Sequence, residues 1–216
     1  MSSRDQRLVP LSVDEICVLA EGLDQTMGWV ELMGAKCSHP RLRPPVAGAA
    51  GCYPGPAMRY EHLIEINSQG FSAIPPFTRE ELWRGLLVRV YEPESFPVGP
   101  DDSEWKEESP GRLNRIVRFG RLEIHDSVTL EPMQRIVFDA QAREDMAAMR
   151  LTITLEEPAP GAMVLRFVYE NDTAISAAEA PYEDLRHGAW LENDRDMVRT
   201  LRAWRDQGRL GAHGTH

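Results

Sequence analysis

Four polar residues interrupt otherwise apolar, alternating runs, and these could do chemistry. His62 shares a strand face with Tyr60, Ile64 and Ile66; Arg115 lies with Leu113, Val117 and Phe119. Asp126 falls between Ile124 and Val128, and Tyr169 ends the Met163, Leu165, Phe167 face. A buried charge needs a partner, because uncompensated burial costs several kcal/mol, roughly. Arg115 and Asp126 stand at similar distances on either side of Gly120, so a hairpin bending there lets them pair across the ladder. In a ligand site that pair would orient a carbonyl or hydroxyl, while His62 or Tyr169 moved a proton. The structural alternative is an ion pair near a sheet edge, a core histidine with its hydrogen bonds satisfied, and a wall tyrosine whose hydroxyl meets water. The structural alternative is favoured, and no catalytic residue is assigned. Phe119, Phe138, Phe167 and Trp190 complete the set of candidate pocket residues. For Trp83, Trp190 and Trp204, core packing is the commoner role.

The elements that must position these residues follow from periodicity. Tyr60 to Asn67 alternates as a strand. Thr78 and Glu81 form a capping box for a helix carrying Leu82, Leu86 and Val90 as an apolar stripe, ended by Pro93. Alternating strands follow over Leu113–Phe119, Leu122–Leu130, Ile136–Ala140, Met149–Leu155 and Met163–Tyr169. A last helix spans Tyr182 to Gln207, with Leu185, Ala189, Met197, Leu201 and Trp204 on one face and Gly208 placed to stop it. The order suggests an α+β fold, a curved antiparallel sheet closed over a C-terminal helix, with a short helical insertion after the first strand.

Before that domain, residues 1–57 differ in character. Ser12-Val13-Asp14-Glu15 caps one amphipathic helix through Met27, and Lys36 to Pro56 reads as a Pro/Gly-rich linker or disordered arm. The expected divisions are an extension over 1–57, a ligand-binding domain over 58–210 and a disordered tail over 211–216.

Composition bounds the function. A net charge of −10 repels nucleic acid and anionic membranes on average, and no apolar run is long enough for a transmembrane helix. Cys17, Cys37 and Cys52 all precede Met58, which fits neither a disulfide framework nor a zinc site and suits a cytoplasmic location. The acids Asp101, Asp102, Glu104, Glu107 and Glu108 lack the ligand pattern of an EF-hand and read as a solvated edge. G-x-S-x-G, H-E-x-x-H, P-loop and G-x-G-x-x-G motifs are all missing, so serine hydrolysis, zinc chemistry, nucleotide hydrolysis and hydride transfer lose their usual signatures. No cofactor and no metal is expected.

Four phrases carry a family resemblance: His62-Leu63-Ile64-Glu65-Ile66-Asn67, Thr78 through Leu86, Val128-Thr129-Leu130-Glu131-Pro132, and Leu165-Arg166-Phe167-Val168-Tyr169-Glu170. In order and without large gaps, they resemble the AtaL-like family, named for a protein of the acetylaranotin biosynthetic cluster. It belongs to the START/polyketide-cyclase (SRPBCC) superfamily. The resemblance covers about Arg59 to Leu210. It implies the helix-grip fold, with seven antiparallel strands around a long C-terminal helix and a pocket for a hydrophobic small molecule. A poorly patterned strand is then expected near Ser103 to Glu108. Residues 1–57 have no counterpart in that family, and Met58 sits where its members begin, so the segment is either a genuine extension or lies ahead of the true start.

The expected partner is a polyketide-like, lipid-like or aromatic metabolite, with no nucleic acid, no membrane segment and a homodimer left open. Two functions stand side by side: a non-catalytic carrier, or a cyclase or dehydratase of secondary metabolism using acid/base groups in the same cavity. A weaker third is a partner-binding module docking through the N-terminal helix.

Overall fold

A computed structural model describes residues 57–68, 74–143, 146–174 and 180–211. The expected N-terminal helix and linker, and the tail beyond Gly211, lie outside the described residues.

Strand β1 (Ala57–Asn67) leads to helix α1 (Arg79–Tyr91) and a short 3-10 turn (Pro93–Ser95). Six strands follow: β2 (Asp102–Ser109), β3 (Arg112–Phe119), β4 (Leu122–Glu131), β5 (Arg135–Ala140), β6 (Met149–Ala159) and β7 (Ala162–Ala174). Helix α2 (Glu183–Asp206) closes the domain. All seven strands form one antiparallel sheet in the order β1-β7-β6-β5-β4-β3-β2. This is the helix-grip arrangement, α+β with a curved sheet and a short helix after the first strand. The weakly patterned strand expected near Ser103 is β2; it forms one edge of the sheet and is largely exposed, with Asp102 and Glu104 paired to Arg118 of β3.

Local chemistry sets the helix limits. The Thr78 hydroxyl accepts from the Glu81 amide while the Glu81 carboxylate accepts from the Thr78 amide, so two N-terminal donors are satisfied reciprocally. At the end of α2, Gly208 has a φ of 74° and donates to the Arg205 carbonyl while Arg209 donates to that of Trp204. That pair of hydrogen bonds is a Schellman stop, and the left-handed backbone is why glycine is needed there. Gly85 has a different job. A Cβ there would lie 2.7 Å from a Leu201 methyl carbon, so its absence lets α1 approach α2.

The core falls into two clusters. The larger joins the inner faces of the sheet to both helices, with Leu82, Leu86, Ile136, Ile153, Leu165, Phe167 and Leu201 essentially inaccessible. The smaller holds Val117, Leu122, Ile124 and Met146 beneath the β3–β4 hairpin. One expectation fails on α2. Leu185 is 66% exposed, because at about 100° per residue it lies on the side of α2 opposite Asp194 and Leu201, while Glu183 is buried and His187 stacks on Tyr60 of β1. No helix among the described residues is long and apolar enough to cross a membrane.

Candidate functional site

A cavity of about 170 Å³ lies between the inner face of the sheet and α2. It draws walls from both core clusters: Val117, Phe119, Ile124 and Ala140 from one side, Phe138, Leu151, Tyr169, Trp190 and Met197 from the other. The loop Pro93–Pro100 supplies a further wall. Three prolines restrict its backbone, and Gly99 donates to the Phe96 carbonyl to close the turn. The lining is mainly apolar, with a few convergent polar groups, which is the composition of a small-molecule site. Its size suits one ring, since a cavity of ~150 Å³ admits benzene. Drug-sized ligands occupy ~300–1,000 Å³.

Arg115 and Asp126 border this space and meet face to face. They are direct partners in the β3–β4 ladder. Arg115 Nε donates to Asp126 Oδ1 at 3.1 Å and Nη2 to Oδ2 at 2.6 Å, a bidentate fork. Nη1 donates to the carbonyls of Arg89 and Val90 at 2.9 and 3.2 Å. Those carbonyls belong to the last turn of α1, which leaves acceptors unsatisfied and a partial negative charge. One guanidinium thus ties two strands to a helix end, over the Phe138 ring at 4.9 Å. Both residues are buried.

A second cluster forms where α2 crosses β1 and β7. Its centre is Asp194, which is fully inaccessible. The Tyr169 hydroxyl donates to Asp194 Oδ2 at 2.7 Å. His62 Nε2 lies 3.2 Å from the same oxygen, and Arg89 Nη2 lies 3.6 Å from Oδ1. The His62 contact is close but misdirected: neither ring nitrogen makes a well-aligned hydrogen bond, and Asp194 Oδ1 has none either. Rings pack around the carboxylate. Tyr169 stacks on Trp190 at 4.4 Å and His62 on Phe167 at 5.0 Å. Burial first, and the Asp194 charge second, push the Tyr169 phenol well above its ordinary range.

Arg115, Asp126, Tyr169, Phe119, Phe138 and Trp190 therefore border the cavity, while His62 and Phe167 stand behind its wall. The Tyr169 hydroxyl meets Asp194 rather than water, a correction with a simple cause: α2 delivers a carboxylate to that spot. Sequence reasoning passed over Asp194 and Arg89. The signal for Asp194 was present, because Trp190, Asp194, Met197, Leu201 and Trp204 follow helical spacing and place an acid inside an apolar stripe. Arg89 is polar at the end of a helix and gives no such sign. Among the described residues no cluster of His, Cys, Asp and Glu is arranged to hold a metal ion.

Comparison with known proteins supplies the remaining finding. Among solved structures, the di-domain ARO/CYC StfQ from the steffimycin biosynthetic pathway is 13% identical, with a TM-score of 0.51 over 71% of this chain and 52% of that one. The chain thus spans about half the length of StfQ. The Zhui aromatase/cyclase from Streptomyces sp. R1128 is 11% identical, with a TM-score of 0.49 over 74% of this chain and 99% of that one. At such identities the likeness concerns the fold alone. A search of curated proteins finds no match. The model of the family described as Acetylaranotin biosynthesis cluster protein L matches residues 63–208, from β1 through the Schellman stop of α2, and the chain belongs to that AtaL family.

Proposed function

We propose that this protein binds an apolar small molecule, one ring or a short chain in bulk, in the cavity under α2, and holds it without transforming it. The observation that carries this reading is the state of the carboxylates around an apolar space. Asp126 is taken up by the Arg115 fork and Asp196 by Arg199 on its own helix. The buried Asp126 is thereby kept from acting as a general base, and Asp196 stands on the exposed side of α2. Tyr169 is held protonated by burial and by its bond to Asp194. The family's namesake comes from a biosynthetic cluster, which favours a metabolite as the guest.

A second reading, a cyclase or dehydratase, draws on one feature: Tyr169 borders the cavity while His62 and Asp194 lie behind its hydroxyl. The two readings separate by experiment. Native mass spectrometry of protein from its own host should find a small molecule that co-purifies, and Asp126→Asn and His62→Ala variants should still bind it with no product formed. Product formation by the wild-type protein that these variants lose, with affinity retained, contradicts the carrier reading.

A further inference from the structure

Two cationic groups border the cavity, and they are in opposite states. Arg115 spends every arm of its guanidinium on Asp126 and on two helix carbonyls. Arg89, in the last turn of α1, makes no side-chain hydrogen bond among the described residues. It forms an ion pair with Asp194 Oδ1 at 3.6 Å, a separation beyond hydrogen-bond reach. The Tyr169 hydroxyl bonds the other Asp194 oxygen, and no guanidinium hydrogen bond reaches Oδ1. The Arg89 side chain is 21% exposed and lines the cavity. A planar fork with unspent donors beside an apolar, ring-sized space is suited to one thing: an oxygen acceptor borne on the guest.

We propose that the ligand is a ring-sized molecule carrying an oxygen acceptor, a carboxylate or a conjugated carbonyl, and that Arg89 is the residue that recognises this oxygen. The inference rests on the cavity reading above and adds the ligand's polar group and its orientation. The apolar body lies among Phe138, Leu151 and Met197, and the oxygen points toward the C-terminal turn of α1. Arg115 holds that turn by its carbonyls, so it positions Arg89 without touching the guest.

The test uses the full chain, isothermal titration calorimetry and three probes of similar size: benzoate, acetophenone and ethylbenzene. For the wild-type protein at least one oxygenated probe should bind more tightly than the hydrocarbon. In Arg89→Met the ratio of oxygenated to hydrocarbon affinity should fall about tenfold or more, and Arg89→Lys should keep part of it, because a charge-assisted hydrogen bond is worth that much. A melting curve for each variant shows that the fold is intact, and the lysine variant carries the ratio test should the methionine variant fail to fold. An unchanged ratio overturns the role of Arg89 while leaving the cavity in place. Failure of all three probes to bind overturns the cavity reading itself, and this inference with it.

Discussion

The Arg115–Asp126 pair and the Asp194 cluster sit on the same inner surface, and both bury charge, yet one is closed and the other is open. Around Arg115 each guanidinium nitrogen has an acceptor, and the geometry follows from a ladder in which the two residues are direct partners. Around Asp194 the bookkeeping is incomplete: both His62 nitrogens and one Asp194 oxygen lack aligned partners, and Arg89 stops short. Strand pairing fixes distances to within a fraction of an ångström, so a sheet can satisfy a charge pair fully. Docking a helix across a sheet fixes them less closely and leaves unspent capacity, which is where a ligand or a proton can act.

This contrast predicts a ranked set of losses. The largest falls on Asp194. Asp194→Ala removes the shared partner of Tyr169, His62 and Arg89 and leaves a cavity, and about 3–5 kcal/mol of unfolding free energy should disappear in urea titration. A loss below 1 kcal/mol would mean that the open cluster is not what seats α2.

Arg115→Met comes next. With Asp126 left buried and alone, a cost of about 3 kcal/mol is expected, whereas the double variant Arg115→Met with Asp126→Leu should recover much of it. A double variant no better than the single one would show that the guanidinium matters more for the α1 carbonyls than for Asp126.

Tyr169→Phe is the smallest change, about 1 kcal/mol near neutral pH. Its sharper signature is alkaline. Burial and Asp194 raise the folded phenol above its unfolded value near ~10, so its stabilising contribution is complete below that pH and drains away as pH climbs toward the folded value. The phenylalanine variant should lose that part of the alkaline slope in a stability–pH profile. An unaltered slope would place the raised phenol elsewhere.

The same contrast governs how far the sequence could be read. Alternation located the inner face of each strand, and symmetry about Gly120 was enough to pair Arg115 with Asp126. The weak strand β2 could be placed only because the family resemblance implies seven strands, since its own residues alternate poorly. Asp194 was missed since its partners come from β1, β7 and α1, some more than a hundred residues away along the chain, and only the crossing of α2 brings them together. Leu185 failed because it is out of phase: it sits on the side of α2 opposite Asp194 and Leu201, although the helix still meets β1 there through His187. The Pro93–Pro100 loop reads as a break in the chain, and nothing in its composition says that it forms a cavity wall.

The central claim is that the space between the sheet and α2 admits a guest. Crystals of the protein pressurised with xenon test it directly. The account predicts an anomalous xenon peak among Phe138, Leu151 and Met197, with the Arg115–Asp126 fork unmoved. Side chains closed over that space, with no xenon in it under pressure, would contradict it.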